Sequence, residues 1–99
     1  MAYSIETALA VSIPEGTDTL VLTLANTADT GEVRVSADKG DAIYVFTVSG
    51  GTFGGITVIG NAEGLLASVN LGYLSSGTEI RAYSPNDVAQ VSVVAVRNE

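Results

Sequence analysis

The chain has 99 residues, no cysteine and no histidine, and eleven carboxylates against four cations, for a net charge of −7. That length makes one domain, residues 1–99, able to bury roughly 60–65% of the unfolded chain's surface and so to fold without disulfide or metal staples. The composition excludes thiolate and imidazole metal sites and a histidine general base; the acidity, with Arg34, Lys39, Arg81 and Arg97 scattered, argues against a nucleic-acid partner.

No apolar run approaches the roughly 18 residues that span a bilayer, and no cationic flank precedes the N-terminal apolar residues, so neither a membrane span nor a secretory leader is expected. Charged residues are only 15% of the chain. The surface is therefore mostly uncharged, either because serine and threonine cover it or because part of it is buried against other subunits.

In chain order, Tyr3–Ile13 reads as a strand. Tyr3, Ile5, Thr7, Leu9, Val11 and Ile13 fall on one face, with Glu6, Ala8, Ala10 and Ser12 on the other. Eleven extended residues span ~36 Å, slightly more than the ~34 Å diameter of a compact domain this size. The strand is expected to kink mid-way and cross between sheets; the alternative is that one end overhangs and pairs with a neighbour. Pro14 and Gly16 mark a turn. Residues 19–25 follow as a strand with Leu20, Leu22 and Leu24 inward, and residues 32–37 as another with Val33 and Val35 inward.

Residues 42–49 are apolar on both faces, Tyr44 and Phe46 on one and Ile43 and Val45 on the other, which predicts a strand covered on both sides, with Tyr44 and Phe46 in the core. Gly50 and Gly51 supply the positive φ angles of a type I′ turn, and Thr52–Ile59 returns antiparallel. Gly54 and Gly55 predict a bulge or a close backbone approach there. Residues 65–71, 78–84 and 88–97 complete the set. The last is apolar on both faces, Val91 and Val93 against Val94 and Val96, and is expected to be interior or covered. Eight strands with turn signals every 8 to 12 residues predict an all-β antiparallel sandwich, of jelly-roll or Ig-like Greek-key topology.

The acidic pairs Asp29 with Glu32 and Asp38 with Asp41 could offer oxygen ligands to calcium, but Asp is also a favoured turn residue, and the turn reading is preferred. No carboxylate pair is marked for glycosidase chemistry, and no serine, threonine or lysine has an activating base, so no enzymatic activity and no cofactor are expected. With no tryptophan, Tyr73 and Tyr83 near loop ends are the candidate glycan contacts, although a half-buried tyrosine with a wet hydroxyl is the commoner use. Arg81 and Glu79, two apart on one strand face, are expected to form a solvated ion pair.

The strand-forming opening MAYSIETALAVSI, the richness in Ser, Thr, Val, Ala and Gly, and the absence of Cys, His and Trp give a chain that resembles the small acidic β-sandwich proteins that decorate or cement tailed-phage capsids or form their head fibres. The resemblance covers the whole chain in general style. It implies a non-enzymatic virion protein made in the host cytoplasm, a homo-oligomer, often a trimer, seated outside a capsid shell protein. The first and last strands would form the subunit contacts, through Tyr3, Ile5, Ala8, Ala10, Val94 and Val96. The alternatives are a glycan-binding or cell-surface module working outside cells, and a filament or pilus subunit assembled by strand exchange.

Overall fold

Gly50 and Gly51 reverse the chain at φ 58° and 81°, left-handed angles that glycine adopts without strain, and Ser49 pairs with Thr52 across the two-residue turn. The rest of the fold is built outward from this point. The computed structural model describes residues 3–25 and 30–98, and these form eight strands: β1 Tyr3–Ile13, β2 Thr19–Thr23, β3 Thr30–Lys39, β4 Ile43–Ser49, β5 Thr52–Ile59, β6 Ser68–Gly72, β7 Glu79–Tyr83 and β8 Ala89–Asn98. β4 pairs with β5, β3 with β6, β2 with β7 and β1 with β8, all antiparallel. The chain is thus one long hairpin, its halves zipped in nested pairs. Ladders between β3 and β8 and between β4 and β7 gather the pairs into two sheets, β1-β8-β3-β6 and β2-β7-β4-β5. That nesting is the strand order of an eight-stranded jelly roll, and it settles the choice against an Ig-like topology.

The sheets meet through their β-branched and small residues. Ile13, Val33, Val35, Val91, Val93 and Ala95 from the first sheet face Val21, Ile43, Val45, Ile59, Ile80 and Ala82 from the second, all buried, with Leu24 closing one end. Alternation places each of these runs inward because the strand period is two.

Bulges in β1, β2 and β5 displace side chains from the faces that simple alternation assigns. In β1 the register to β8 shifts between Ala8 and Val11, with Ala10 at φ 52°. The inward set therefore changes parity: Ala8 packs against the core before the bulge, Val11 and Ile13 after it, while Ile5 and Leu9 are exposed. The expected kink is present, but β1 does not cross between sheets; it pairs with β8 on both sides of the bulge. Nor does its length require an overhang, because the molecule is 41 Å long in its greatest dimension, with a radius of gyration of 12.9 Å. In β2 the register to β7 shifts between Leu20 and Leu22, which turns Val21 into the core and leaves Leu20 exposed, contrary to expectation, while Leu22 packs on the core and Leu24 lies in it, as expected. The bulge expected at Gly54 and Gly55 is found, as a register shift opposite Thr47 and Val48.

β6 begins at Ser68, three residues later than expected, because Leu65 and Leu66 belong to a loop in which the Leu65 N–H donates to the Ala62 carbonyl and the Gly60 N–H to that of Leu66. Glu6, on the inner side of β1, accepts the Ala25 N–H with both carboxylate oxygens, at 3.2 and 3.0 Å, and so ties the end of β2 to the first sheet.

The connections sort to two ends. Residues 14–18, 40–42, 60–67 and 84–88 lie at one end, and residues 24–25, 50–51 and 73–78 at the other. At the first end the turns bind one another: the Gly16 N–H donates to the Ser84 carbonyl at 2.8 Å, and those of Asn61 and Ala62 to the carbonyls of Gly40 and Asp41.

Candidate functional site

Charge is divided between strands and turns. All four cations are in strands, Arg34 and Lys39 in β3, Arg81 in β7 and Arg97 in β8, together with four carboxylates, Glu6, Glu32, Asp38 and Glu79. The strands are therefore neutral in sum, and the whole net charge of −7 belongs to the connections and the C-terminus. Five of those seven acids, Glu15, Asp18, Asp41, Glu63 and Asp87, are at one end of the sandwich. A molecule so arranged repels like-charged surfaces through that end and not through its sheet faces.

The outer face of the second sheet is apolar on β4 and β5 and mixed on β7, where Glu79 and Arg81 share it with Tyr83. Register sets Val58 opposite Tyr44 and Tyr44 opposite Tyr83; Ile56 opposite Phe46, Phe46 opposite Arg81 and Arg81 opposite Leu20; and Phe53 opposite Val48, itself opposite Glu79. Phe53 and Ile56 are 58% and 57% exposed, while Tyr44, Phe46 and Val48 are half-buried. Tyr44 and Phe46 thus lie outside the core, contrary to expectation. Ile43 and Val45 on the same strand fill the interior, and in the single chain β4 is covered on one side only. The rings of Phe46 and Phe53 stand 5.7 Å apart at 36°, the tilted arrangement that aromatic quadrupoles favour.

Arg81 is the one cation of this face. Its Nε donates to Asp18 at 2.9 Å and its Nη1 to Glu79 at 3.0 Å, so the expected pair with Glu79 has a second acid attached. The hydrogen bond to Asp18, then that to Glu79, raises the guanidinium above its ordinary value, and it stays charged wherever the protein is folded.

The outer face of the first sheet holds several of the residues expected at a subunit contact. Ile5 is opposite Val96 and Thr7 opposite Val94, and Ile5, Val96 and Val94 are 67%, 37% and 40% exposed. The last strand is therefore buried on its Val91 and Val93 side and open on the other. Ala10 is exposed at the bulge, whereas Ala8 packs on the core and is withdrawn from this face. The side chain of Tyr3 lies outside the described residues. On β3 the apolar strip ends, since Glu32 and Arg34 stand beside Val96 and Val94.

Between the edges of β5 and β6 a cleft of about 240 Å³ opens where Gly54 and Gly55 carry no side chain, lined also by Val45, Thr47, Leu71 and Leu74. None of its lining residues ionises. Tyr73 and Tyr83 are not brought together: Tyr73 follows β6 at the end where β7 begins, and Tyr83 closes β7 at the other, ~13 Å further along the strand direction. Tyr73 is 75% exposed rather than half-buried, while Tyr83 is half-buried beside Tyr44. Of the acidic pairs, Asp29 lies outside the described residues, and Asp38 accepts a hydrogen bond from Ser92 Oγ. Among the described residues no three Asp, Glu, His or Cys side chains converge as metal ligands would.

The subunit contact expected on β1 and β8 follows from strand length and two-faced apolarity, and of its residues Ile5, Ala10, Val94 and Val96 are exposed while Ala8 is not. The wider apolar face, with Leu20, Phe53, Ile56 and Val58, was missed because the same two-faced apolarity of residues 42–49 was read as burial within the chain. Comparison with protein-family models, with curated proteins and with solved structures finds no match to this chain.

Proposed function

We propose that the chain is a non-enzymatic structural subunit that works by associating with copies of itself, as a decoration or cement protein on the outside of a phage capsid shell. One observation carries the reading: exposed apolar side chains cover β4 and β5 on one outer face and β1 and β8 on the other, on a chain whose strands are neutral in sum and whose excess charge is confined to turns and terminus. Sheet faces of this kind gain by covering one another. The acidic end supports the exterior placement, because it would be repelled by packaged nucleic acid and remain in solvent. Two surfaces are available for that contact, the strip of Ile5, Val94 and Val96 on the first sheet and the aromatic face of the second.

Association that stabilises the folded chain makes the melting temperature rise with protein concentration. A thermal melt that climbs over a hundredfold concentration series is expected, and a melt independent of concentration contradicts the proposal. A second reading, a glycan-binding module, is supported by the exposure of Tyr73. It requires glycan-array binding that Tyr73→Ala abolishes.

A further inference from the structure

We infer that the outer face of the second sheet, centred on Tyr44, Phe46, Phe53, Ile56 and Val58, is the docking surface for a second copy of this chain, in a two-fold contact that uses the same face on both partners. The inference rests on the reading of the chain as a self-associating subunit and says which face does the associating.

Charge selects the occupant. A second copy carries −7, concentrated in its connections and above all at one end, so end-on approach is repelled, whereas the sheet faces bring no such excess together. Among the described residues the charges on this face are Arg81 and Glu79 on β7, between Leu20 and Phe46, with Asp18 from the turn before β2; they already bond one another, so none enters the contact without a partner. A basic partner would be drawn to the acidic end, not here.

Geometry selects one face over the other. The outer faces of a sandwich point in opposite directions, so contacts through both would stack copies into an open column, and a closed pair must use one of them. The second sheet presents Phe53, Ile56 and Val58 beside Tyr44, Phe46 and Val48 on two adjacent strands, with Leu20 beyond, and its charges on β7 are bonded to one another, whereas the first gives way on β3 to Glu32 and Arg34. Four strands at ~4.8 Å spacing and about 20 Å of strand length cover about 400 Å² on each copy, or about 800 Å² for the pair in flat projection. That is below the ~1,000–1,200 Å² of stable specific interfaces and in the range of weak, transient ones, so the dimer is a reversible one.

The test compares Ile56→Lys with Val94→Lys by sedimentation across the micromolar range, with circular dichroism to show that each folds. Both side chains are exposed on strands, and Val58→Lys repeats the first substitution on the same face. Expected is at least a tenfold weaker association for Ile56→Lys and Val58→Lys, since each would place an unpaired ammonium in the contact, with Val94→Lys close to the parent. Association kept by Ile56→Lys and lost by Val94→Lys overturns the inference while leaving self-association intact. Loss in all three variants also overturns it, because the contact is then not confined to this face. A parent chain that is monomeric throughout overturns both this inference and the reading beneath it.

Discussion

Ala10 is the one non-glycine among the described residues with positive φ, at 52°. Its left-handed conformation costs ~1–2 kcal/mol, and the bulge that imposes it is held across three strands: the Ala10 N–H donates to Ser92 Oγ at 3.0 Å, and Ser92 Oγ donates to Asp38. Ala10→Gly relieves the strain and loses part of the gain to unfolded-chain entropy, so urea unfolding is expected to show a net stabilisation of about 0.5–1 kcal/mol. Ser92→Ala leaves the Ala10 N–H and Asp38 to water and should cost about 1 kcal/mol in the same assay. A larger loss is expected at Ser84, which is fully buried and whose Oγ donates to the Asp87 carbonyl at 2.6 Å and to Asp87 Oδ1 at 3.2 Å, closing the turn into β8. Ser84→Ala should cost about 1–2 kcal/mol, because the acceptors lose a donor that water cannot easily replace. The sequence shows why the face of β1 was misassigned: its alternation is regular, and the residue that fixes the bulge, Ser92, is 82 positions away from Ala10.

Among the elements, the two-residue turn at Gly50 and Gly51 has a role out of proportion to its size. Once β4 and β5 pair, β3 with β6, β2 with β7 and β1 with β8 each close a loop already shortened by the pair inside it, so the entropy of closure is spread over successive steps. Replacing both glycines by alanine should therefore slow folding in stopped-flow traces more than it speeds unfolding, at an equilibrium cost of about 2–4 kcal/mol for two left-handed alanines. Asn-Gly at the same positions should fold at the parent rate. The ends of β1 and β5 were legible from alternation and turn residues, and the other strands to within a few positions. β6 was not, because Leu65 and Leu66 look strand-like while their backbone bonds are made within the loop. Val21 in β2 was concealed in the same way by a bulge visible only against β7.

At the scale of the whole molecule, the separation of charge from apolar surface ties fold to proposed function. The sequence tells that charge is sparse, but its placement follows only from the strand boundaries: cations and balancing acids on the strands, excess acids in the turns. Contacts between such faces are apolar, so their strength should hold or rise as salt increases, in contrast to ion-paired interfaces. Two-faced apolarity of residues 42–49 and of β8 was equally plain, yet the chain covers each strand from one side alone, leaving Phe46 and Val94 facing outward. The measurement that bears most directly on this account is the solution mass of the parent chain by sedimentation across the micromolar range, at low and high salt. A discrete closed oligomer, no weaker at high salt, is the predicted result. A monomer at every concentration, or an oligomer that salt dissolves, would contradict it.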